Sequence, residues 1–405
     1  MQTIGIAIDR QRTYGRRLCQ GIVDYARANT DWTLRIVEFD EFERTSRVTD
    51  CDGFIARVLN DRLAERLAAT GKPVVDVFCE RTHYGFASVD QNARLVGQLA
   101  ARHFIEHLFS RFAFCGYNGL SYSDMRRDSF VHCLDLNHFD CKVYRTPPSI
   151  IRELGSKRSR SESLHRPSDG RRLRNWLAAL AKPVAVFCAN DMRAYQTIQA
   201  CHALGIRVPE EVAVLGVDDE LVCEFISPTL SSIDPNGRGV GFKAAETLDR
   251  MLANPRVVPP PATVEPLRLV ARGSTNIFPV NPPWLSSALV FIRSNITQKL
   301  TASDVYRHLG KSHTLVDTAF RNVLRSSVQK EINRQRLAEA KRLINSTDLP
   351  VGQVAKLAGF ASPQYFCAAF GKAFGQSPSA MRENRKQPSD VSGEARRARD
   401  PSRYA

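Results

Sequence analysis

Residues 184–219 read VAVFCANDMRAYQTIQACHALGIRVPEEVAVLGVDD. A short apolar run, Val184–Cys188, is followed by helical periodicity from about Asp191 to Leu204 and then by a second apolar run, Val212–Val217. Strand, helix and strand in that order make a βαβ unit. The same alternation extends outward over residues 1–275. Thr3–Ile8 precedes a periodic stretch from Tyr14 to Arg27, with Leu18, Ile22 and Tyr25 on one face. Thr33–Glu38, Gly53–Val58, Val74–Phe78 and Phe112–Tyr117 are further strands. Alternation of this kind predicts parallel sheets covered by helices on both faces. There are too many units for one small sheet, so the expectation is an α/β domain of two similar lobes.

The 405 residues leave room for a second domain, and the charge shows where it lies. Net charge is +15, with 57 Lys and Arg against 42 Asp and Glu. From Leu285 to Ala405 there are 20 basic and nine acidic residues, whereas residues 1–284 carry only +4. Within the latter, Arg152–Arg174 holds eight basic and three acidic residues in a Ser/Arg-rich insertion that reads as a surface loop. A basic C-terminal module is the footprint of a polyanion binder, because neutralised phosphates release counterions. No apolar run approaches the roughly 20 residues that span a bilayer. The opening MQTIGIAIDRQR lacks the basic and apolar regions of a secretory signal. The ten cysteines form no CxxC pair, as reduced core thiols would not. A cytoplasmic, nucleoid-associated protein without cofactor or metal is expected.

Open α/β sheets bind ligands beyond the carboxyl ends of their strands. Asp9, Asn190-Asp191 and Asp218-Asp219 occupy such ends. Neither a GxxxxGK[ST] loop nor a strand-following GxGxxG is present, and Gly237–Gly241 reads as a helix start and a place of close packing. GxSxG and HExxH are also missing, which argues against catalysis. His103 and His107 stand four apart on an expected helix, but no third metal ligand accompanies them and surface placement is the simpler reading.

Arg272–Pro283, RGSTNIFPVNPP, breaks helix and strand alike. The expected organisation is an effector domain over 1–275, a linker over 276–284, an all-α domain over 285–385 and a basic tail over 386–405. In the all-α part Thr301 caps a helix that ends near Leu309-Gly310, and Ser312 starts another over Thr314–Leu324. A long helix covers Gln329–Asn345. The order then recurs: Pro350–Ala358, a turn at Gly359, a Ser362 cap with Pro363 at the first helical position, and a helix to Phe374. Each pair reads as a helix-turn-helix.

Residues 185–234 resemble the effector domain of LacI-type repressors, which look like periplasmic sugar-binding proteins. Ala189-Asn190-Asp191, Leu204–Pro209, Val214–Asp219 and Pro228-Thr229-Leu230 carry the likeness, with weaker matches at Ser88–Asn92 and at Ser123, Arg126 and Phe130. The resemblance implies a monosaccharide ligand. Asp218, Asn190, Arg126 and Asp90 would then bind its hydroxyls, and Tyr14 or Tyr122 would stack on its apolar face. The alternative for each is structural: Asn190 or Asp191 could cap the following helix, Asp218 could fix a turn, and Arg126 could be a surface charge.

The helical part resembles the AraC/XylS family. The motif runs Val351–Ser362, then Phe366, Phe370, Lys372, Phe374, Gly375 and Ser377-Pro378; a looser match covers Leu309–Ser312, Val316, Phe320 and Arg336–Ile344. That resemblance implies two helix-turn-helices, each placing a helix in the major groove of double-stranded DNA. With Val316, Phe320, Phe366 and Phe370 buried, the outward residues are Thr314, Asp317, Thr318 and Arg321 in the first. In the second they are Pro363, Gln364, Cys367 and Ala368, beside the Ser362 cap. Gln364 is the best base reader, since its amide can bond adenine bidentately. Lys372 and Arg321 would hold phosphates. Thr318 and Ala368 are short where many members carry a long reader, and Tyr306 replaces a small residue.

A LacI-like domain ahead of an AraC-type domain, with Ile6–Asp9 leading to Tyr14-Gly15-Arg16, is similar to pentose-responsive regulators. The resemblance implies a homodimeric activator that meets RNA polymerase and takes D-xylose as effector. Two other readings remain: a different small ligand, or a ligand-independent protein whose first domain only dimerises.

Overall fold

The computed structural model describes residues 1–37, 50–80, 82–147, 167–254 and 258–386. Arg152–Arg166 of the basic insertion, and the tail beyond Lys386, lie outside the described residues. The chain divides into two compact units, Met1–Pro279 and Val280–Ala405.

The first unit is α/β. Its elements are β1 (Thr3–Ala7), α1 (Thr13–Asn29), β2 (Thr33–Ile36), β3 (Gly53–Ala56), α2 (Asp61–Ala69), β4 (Val74–Asp76), β5 (Ala87–Gln91), α3 (Ala93–Glu106), β6 (Phe112–Cys115), α4 (Ser121–Asp135), β7 (Cys141–Tyr144), α5 (Pro167–Ala179), β8 (Val184–Cys188), α6 (Asp191–Ala203), β9 (Val212–Val217), α7 (Val222–Phe225), β10 (Ser231–Asp234), α8 (Gly237–Ala253), β11 (Ala262–Val264) and β12 (Arg268–Val270). Two six-stranded sheets form, in the orders β11-β5-β4-β3-β1-β2 and β12-β10-β9-β8-β6-β7. Among the described residues all pairings are parallel except β10 with β12. Each sheet is the centre of one lobe, and the chain crosses between them after β5, after β10 and between β11 and β12.

Alternate residues of a strand point to opposite faces, so a strand covered on both sides must be apolar throughout. In β3, Ile55 enters one core and Phe54 and Ala56 the other. In β8, Ala185 and Phe187 face one core while Val184, Val186 and Cys188 face its opposite. The α1 and α8 helices approach backbone to backbone: a Cβ at Gly21 would lie 1.9 Å from the Arg238 carbonyl, and one at Gly241 1.9 Å from that of Leu18. The glycine cluster at 237–241 thus serves packing. His103 and His107 are buried, which corrects the expected surface placement: His103 Nε2 lies 2.9 Å from Thr275 Oγ1, and His107 stacks on Phe278.

The second unit is all-α, with α9 (Pro283–Asn295), α10 (Ala302–Leu309), α11 (His313–Leu324), α12 (Val328–Ser346), α13 (Val351–Leu357), α14 (Pro363–Phe374) and α15 (Pro378–Lys386). Thr301 and Asp304 form a reciprocal capping box at α10. Ser312 and Ser362 cap α11 and α14. Helix, left-handed glycine, helix gives the helix-turn-helix α13–Gly359–α14 (φ 80°), and the same order occurs at α10–Gly310–α11 (φ 58°). Buried Arg336 on α12 donates to the carbonyls of Ile296, Gln298 and Leu300, so the loop after α9 is tied to the long central helix.

Candidate functional site

Strand ends of both lobes converge on one set of polar groups. Arg57 follows β3, Asp90 and Gln91 end β5, Asp218 follows β9, and Tyr14 and Arg126 project from α1 and α4. Arg126 is 1% exposed. It donates to Gln91 Oε1 at 2.5 Å and to the Ala189 carbonyl, and its Nη2 lies 4.0 Å from Asp218 Oδ1. The Tyr122 ring centre is 5.2 Å from the Arg126 guanidinium, and Arg57 stands 4.4 Å over Phe78.

The electrostatics follow from burial. Withdrawal from water lifts Asp90 to about 7, opposed by the Gln91 N–H and by Arg126 and Arg57. It lifts Asp218 to about 6, again opposed chiefly by Arg126. Tyr14 is pushed well above its usual value by burial and then by Asp90, and Tyr122 is raised by burial. Three buried atoms here make no hydrogen bond to any described residue: Tyr14 Oη, Arg57 Nε and Arg126 Nε. Asp76 is also raised, to about 6 by burial, but its carboxylate accepts from the amides of Val58, Phe78 and Cys79 and therefore shapes the loop.

Of the six residues expected to line a ligand site, Tyr14, Asp90, Tyr122, Arg126 and Asp218 come together. Asn190 is buried and its side-chain oxygen accepts from the Arg193 amide, capping α6. Asp191, fully buried, accepts from Ser232 Oγ at 2.7 Å and the Glu220 amide at 2.8 Å. Asp218 and Asp219 both have positive φ, 111° and 48°. The turn is held by Arg17, which donates to the Asp218 carbonyl, and by Arg272, 2.7 Å from Asp219 Oδ1. Sequence reasoning missed Arg57 and Gln91. The expected strand Gly53–Val58 included Arg57, whereas β3 ends at Ala56 and so places Arg57 at the carboxyl end, where open α/β sheets bind ligands.

In the helical unit, Val316, Phe320, Phe366 and Phe370 are fully buried. Thr314, Thr318, Arg321, Pro363, Gln364, Cys367, Ala368 and Lys372 are exposed. Ser362 Oγ accepts from the Tyr365 amide and donates to Gln364 Oε1 at 3.3 Å. Asp317 is half-buried and accepts from Tyr306 Oη at 2.9 Å, while the Tyr306 ring stacks on His313. The side chain expected to face a base is therefore engaged by its own motif. Among the described residues, no group of three or more His, Cys, Asp or Glu is placed to hold a metal ion, and no helix is long and apolar enough to cross a membrane.

Two family models match the chain: a periplasmic binding protein-like domain over residues 101–275 and a helix-turn-helix domain over residues 305–384. The Xylose operon regulatory protein of Haemophilus influenzae is 27% identical over 393 residues, 94% of this chain and 98% of that one. A solved xylose-binding transcription activator superposes with a TM-score of 0.57 at 23% identity, covering 95% of this chain and 99% of that one. A LacI family transcriptional regulator from Enterococcus faecium with bound ribose gives 0.53 at 22% identity, covering 68% and 98%. The AraC/XylS expectation is corrected here. The helical region matches a model described only as a helix-turn-helix domain, and the effector region matches periplasmic-binding-protein-like and LacI-type proteins. The matches show a periplasmic-binding-protein-like domain followed by a helix-turn-helix domain.

Proposed function

We propose that this chain is a sequence-specific DNA-binding regulator of a sugar-utilisation operon, controlled by a monosaccharide held between the lobes of the first unit. The observation that carries the effector site is the set of buried, unpartnered polar atoms on Tyr14, Arg57 and Arg126, beside the carboxylates of Asp90 and Asp218. A buried polar atom without a partner costs about 1–3 kcal/mol. A ring of sugar hydroxyls, each both donor and acceptor, relieves that cost. A ligand lacking one of them leaves a buried group unpaired, which is how such a site discriminates.

D-xylose is the effector best supported, because the relatives that align over nearly the whole chain are xylose operon regulators. Asp218, Asp90, Arg126 and Arg57 bond its hydroxyls, Tyr14 and Tyr122 cover its ring, and Asn190 contributes by fixing α6. On the DNA side, α11 and α14 both act as reading helices. Gln364 meets a base, Arg321 and Lys372 meet phosphates, and Thr314, Thr318, Pro363, Cys367 and Ala368 form the contact surface. The domain limits are 1–275, 285–385 for the DNA-binding part, and a linker between them. The protein acts in the cytoplasm as a homodimer, and as an activator it meets RNA polymerase.

Calorimetric titration with D-xylose and a panel of pentoses and hexoses tests the effector. Saturable heat with D-xylose, lost in Asp218→Ala with the fold intact, is the expected result. No heat with any sugar overturns the effector assignment and leaves the DNA-binding unit to be tested on promoter DNA.

A further inference from the structure

We propose that Glu80 and Glu220 are reciprocal latches that hold the two lobes of the first unit closed, and that they set effector affinity without touching the effector. Only the affinity readout rests on the sugar-binding reading; the latch itself does not.

The first amides of a helix have no partner within it and need a cap. Four helices of this unit, α2, α3, α6 and α8, are capped by the side chains of Asn60, Asn92, Asn190 and Asn236. At α1 and α4 the cap positions are Arg12 and Leu120, and neither side chain bonds the helix end. Both helices are instead capped from the opposite lobe. The Thr13 amide of α1 donates to both carboxylate oxygens of Glu220, at 3.0 Å each. The Ser121 amide of α4 donates to Glu80 Oε1 at 2.7 Å. Glu220 follows β9 in the second lobe, and Glu80 follows β4 in the first. The two bonds therefore cross the cleft in opposite directions, each placing a carboxylate at the positive end of a helix dipole.

The position of Glu220 ties this closure to the effector site. Its own amide is anchored by buried Asp191, so its lobe presents it rigidly. Two residues earlier stands Asp218, whose carbonyl accepts from Arg17 of α1. Between them Asp219 is paired with the same Arg17 at 3.4 Å, and Arg17 also reaches Asp234 at 3.0 Å. Three successive acidic residues thus face the effector site, pin the hinge and fasten the first lobe. Opening the cleft would release both latched amides to water together.

Amide hydrogen exchange on the full chain tests this, alone and with saturating D-xylose. Glu220→Ala is expected to speed exchange at the start of α1, and Glu80→Ala at the start of α4, each by roughly 2- to 30-fold, the range that losing a helix cap represents. The first turn of α6, capped within its own lobe, should not change. In the double variant D-xylose should bind weaker by roughly the product of the two factors. Three outcomes overturn the proposal: wild-type exchange at both sites as fast as in the variants, equal loosening of α6, or unchanged D-xylose affinity in the double variant. Wild-type protein that takes up no D-xylose defeats the sugar assignment instead, and the exchange result still decides the latch.

Discussion

Arg126 and Asp218 face each other at 4.0 Å without closing into a hydrogen-bonded pair, although their side chains are only 1% and 16% exposed. Arg126 is already committed to Gln91 and to the Ala189 carbonyl, and Asp218 is fixed by its positive-φ turn. The carboxylate therefore keeps acceptor capacity for a ligand while remaining in the field of a cation. Asp218→Ala should weaken D-xylose binding by at least tenfold, since a hydrogen bond to a charged group contributes about 1.5–3 kcal/mol. Asp218→Asn, which retains one acceptor, should lose less. Calorimetry gives the affinity, and circular dichroism shows that each variant is folded.

The raised carboxyl groups make a pH prediction with a definite sign. Burial lifts Asp90 to about 7 and Asp218 to about 6, from 3.8 in an unfolded chain. Between about pH 4 and pH 7 the folded state therefore binds more protons than the unfolded state. The stability contributed by these groups is complete at the acid end and is lost as pH rises through 6 and 7. Asp90→Asn removes one of them, so its stability relative to the wild type should be higher at pH 8 than at pH 5 in denaturant unfolding. The reverse order would show that Asp90 is held ionised. A ligand that donates hydroxyls to both carboxylates should also release protons on binding near pH 6.5, seen as a binding enthalpy that shifts with the ionisation enthalpy of the buffer.

Much of this was legible in the chain, because buried parallel strands must be apolar throughout and helices must start at a cap. Val184–Cys188, α6 and Val212–Val217 follow directly from those two constraints, as do the Thr301 and Ser312 starts and the Pro363–Phe374 helix. The buried polar cluster was legible in Asp90, Arg126 and Asp218, which close strands or carry a family motif. Arg57 escaped because the apolar run Gly53–Val58 reads as one strand that includes it, while the strand in fact ends at Ala56. His103 and His107 were misplaced because their burial depends on Thr275 and Phe278, some 170 residues away. The Tyr306–Asp317 bond links two helices through a turn, and no spacing rule shows which of the two side chains will reach the other.

The turn of the second helix pair can be tested through Gly359. Its φ of 80° is left-handed, and a Cβ there would lie 1.8 Å from the Ile296 carbonyl and 3.0 Å from Arg336 Nε. Gly359→Ala combines left-handed strain with a backbone clash and should destabilise the helical unit by about 2–4 kcal/mol. Gly371, inside α14 with ordinary helical φ and open space at its Cβ, is the contrast. Gly371→Ala should stabilise by about 0.5–1 kcal/mol, because alanine has less backbone freedom to lose on folding. Denaturant unfolding of both variants separates a positional effect from a general intolerance of substitution.

Base reading and phosphate holding predict different losses on DNA. Gln364 is exposed at the start of α14, with its side-chain oxygen steadied by Ser362. Gln364→Ala should weaken binding to the operator by about 1–3 kcal/mol while leaving non-specific DNA affinity nearly unchanged. Lys372, exposed on the same helix, should act on every sequence alike: Lys372→Ala lowers specific and non-specific affinity together and reduces the salt slope by about 1. Asp317 belongs to neither class, since its carboxylate is held by Tyr306. Tyr306→Phe should lower the stability of the helical unit by about 0.5–1.5 kcal/mol with no change in base preference. A change in base preference in Tyr306→Phe would mean that Asp317 reads DNA once released, and that the bond restrains a reading residue.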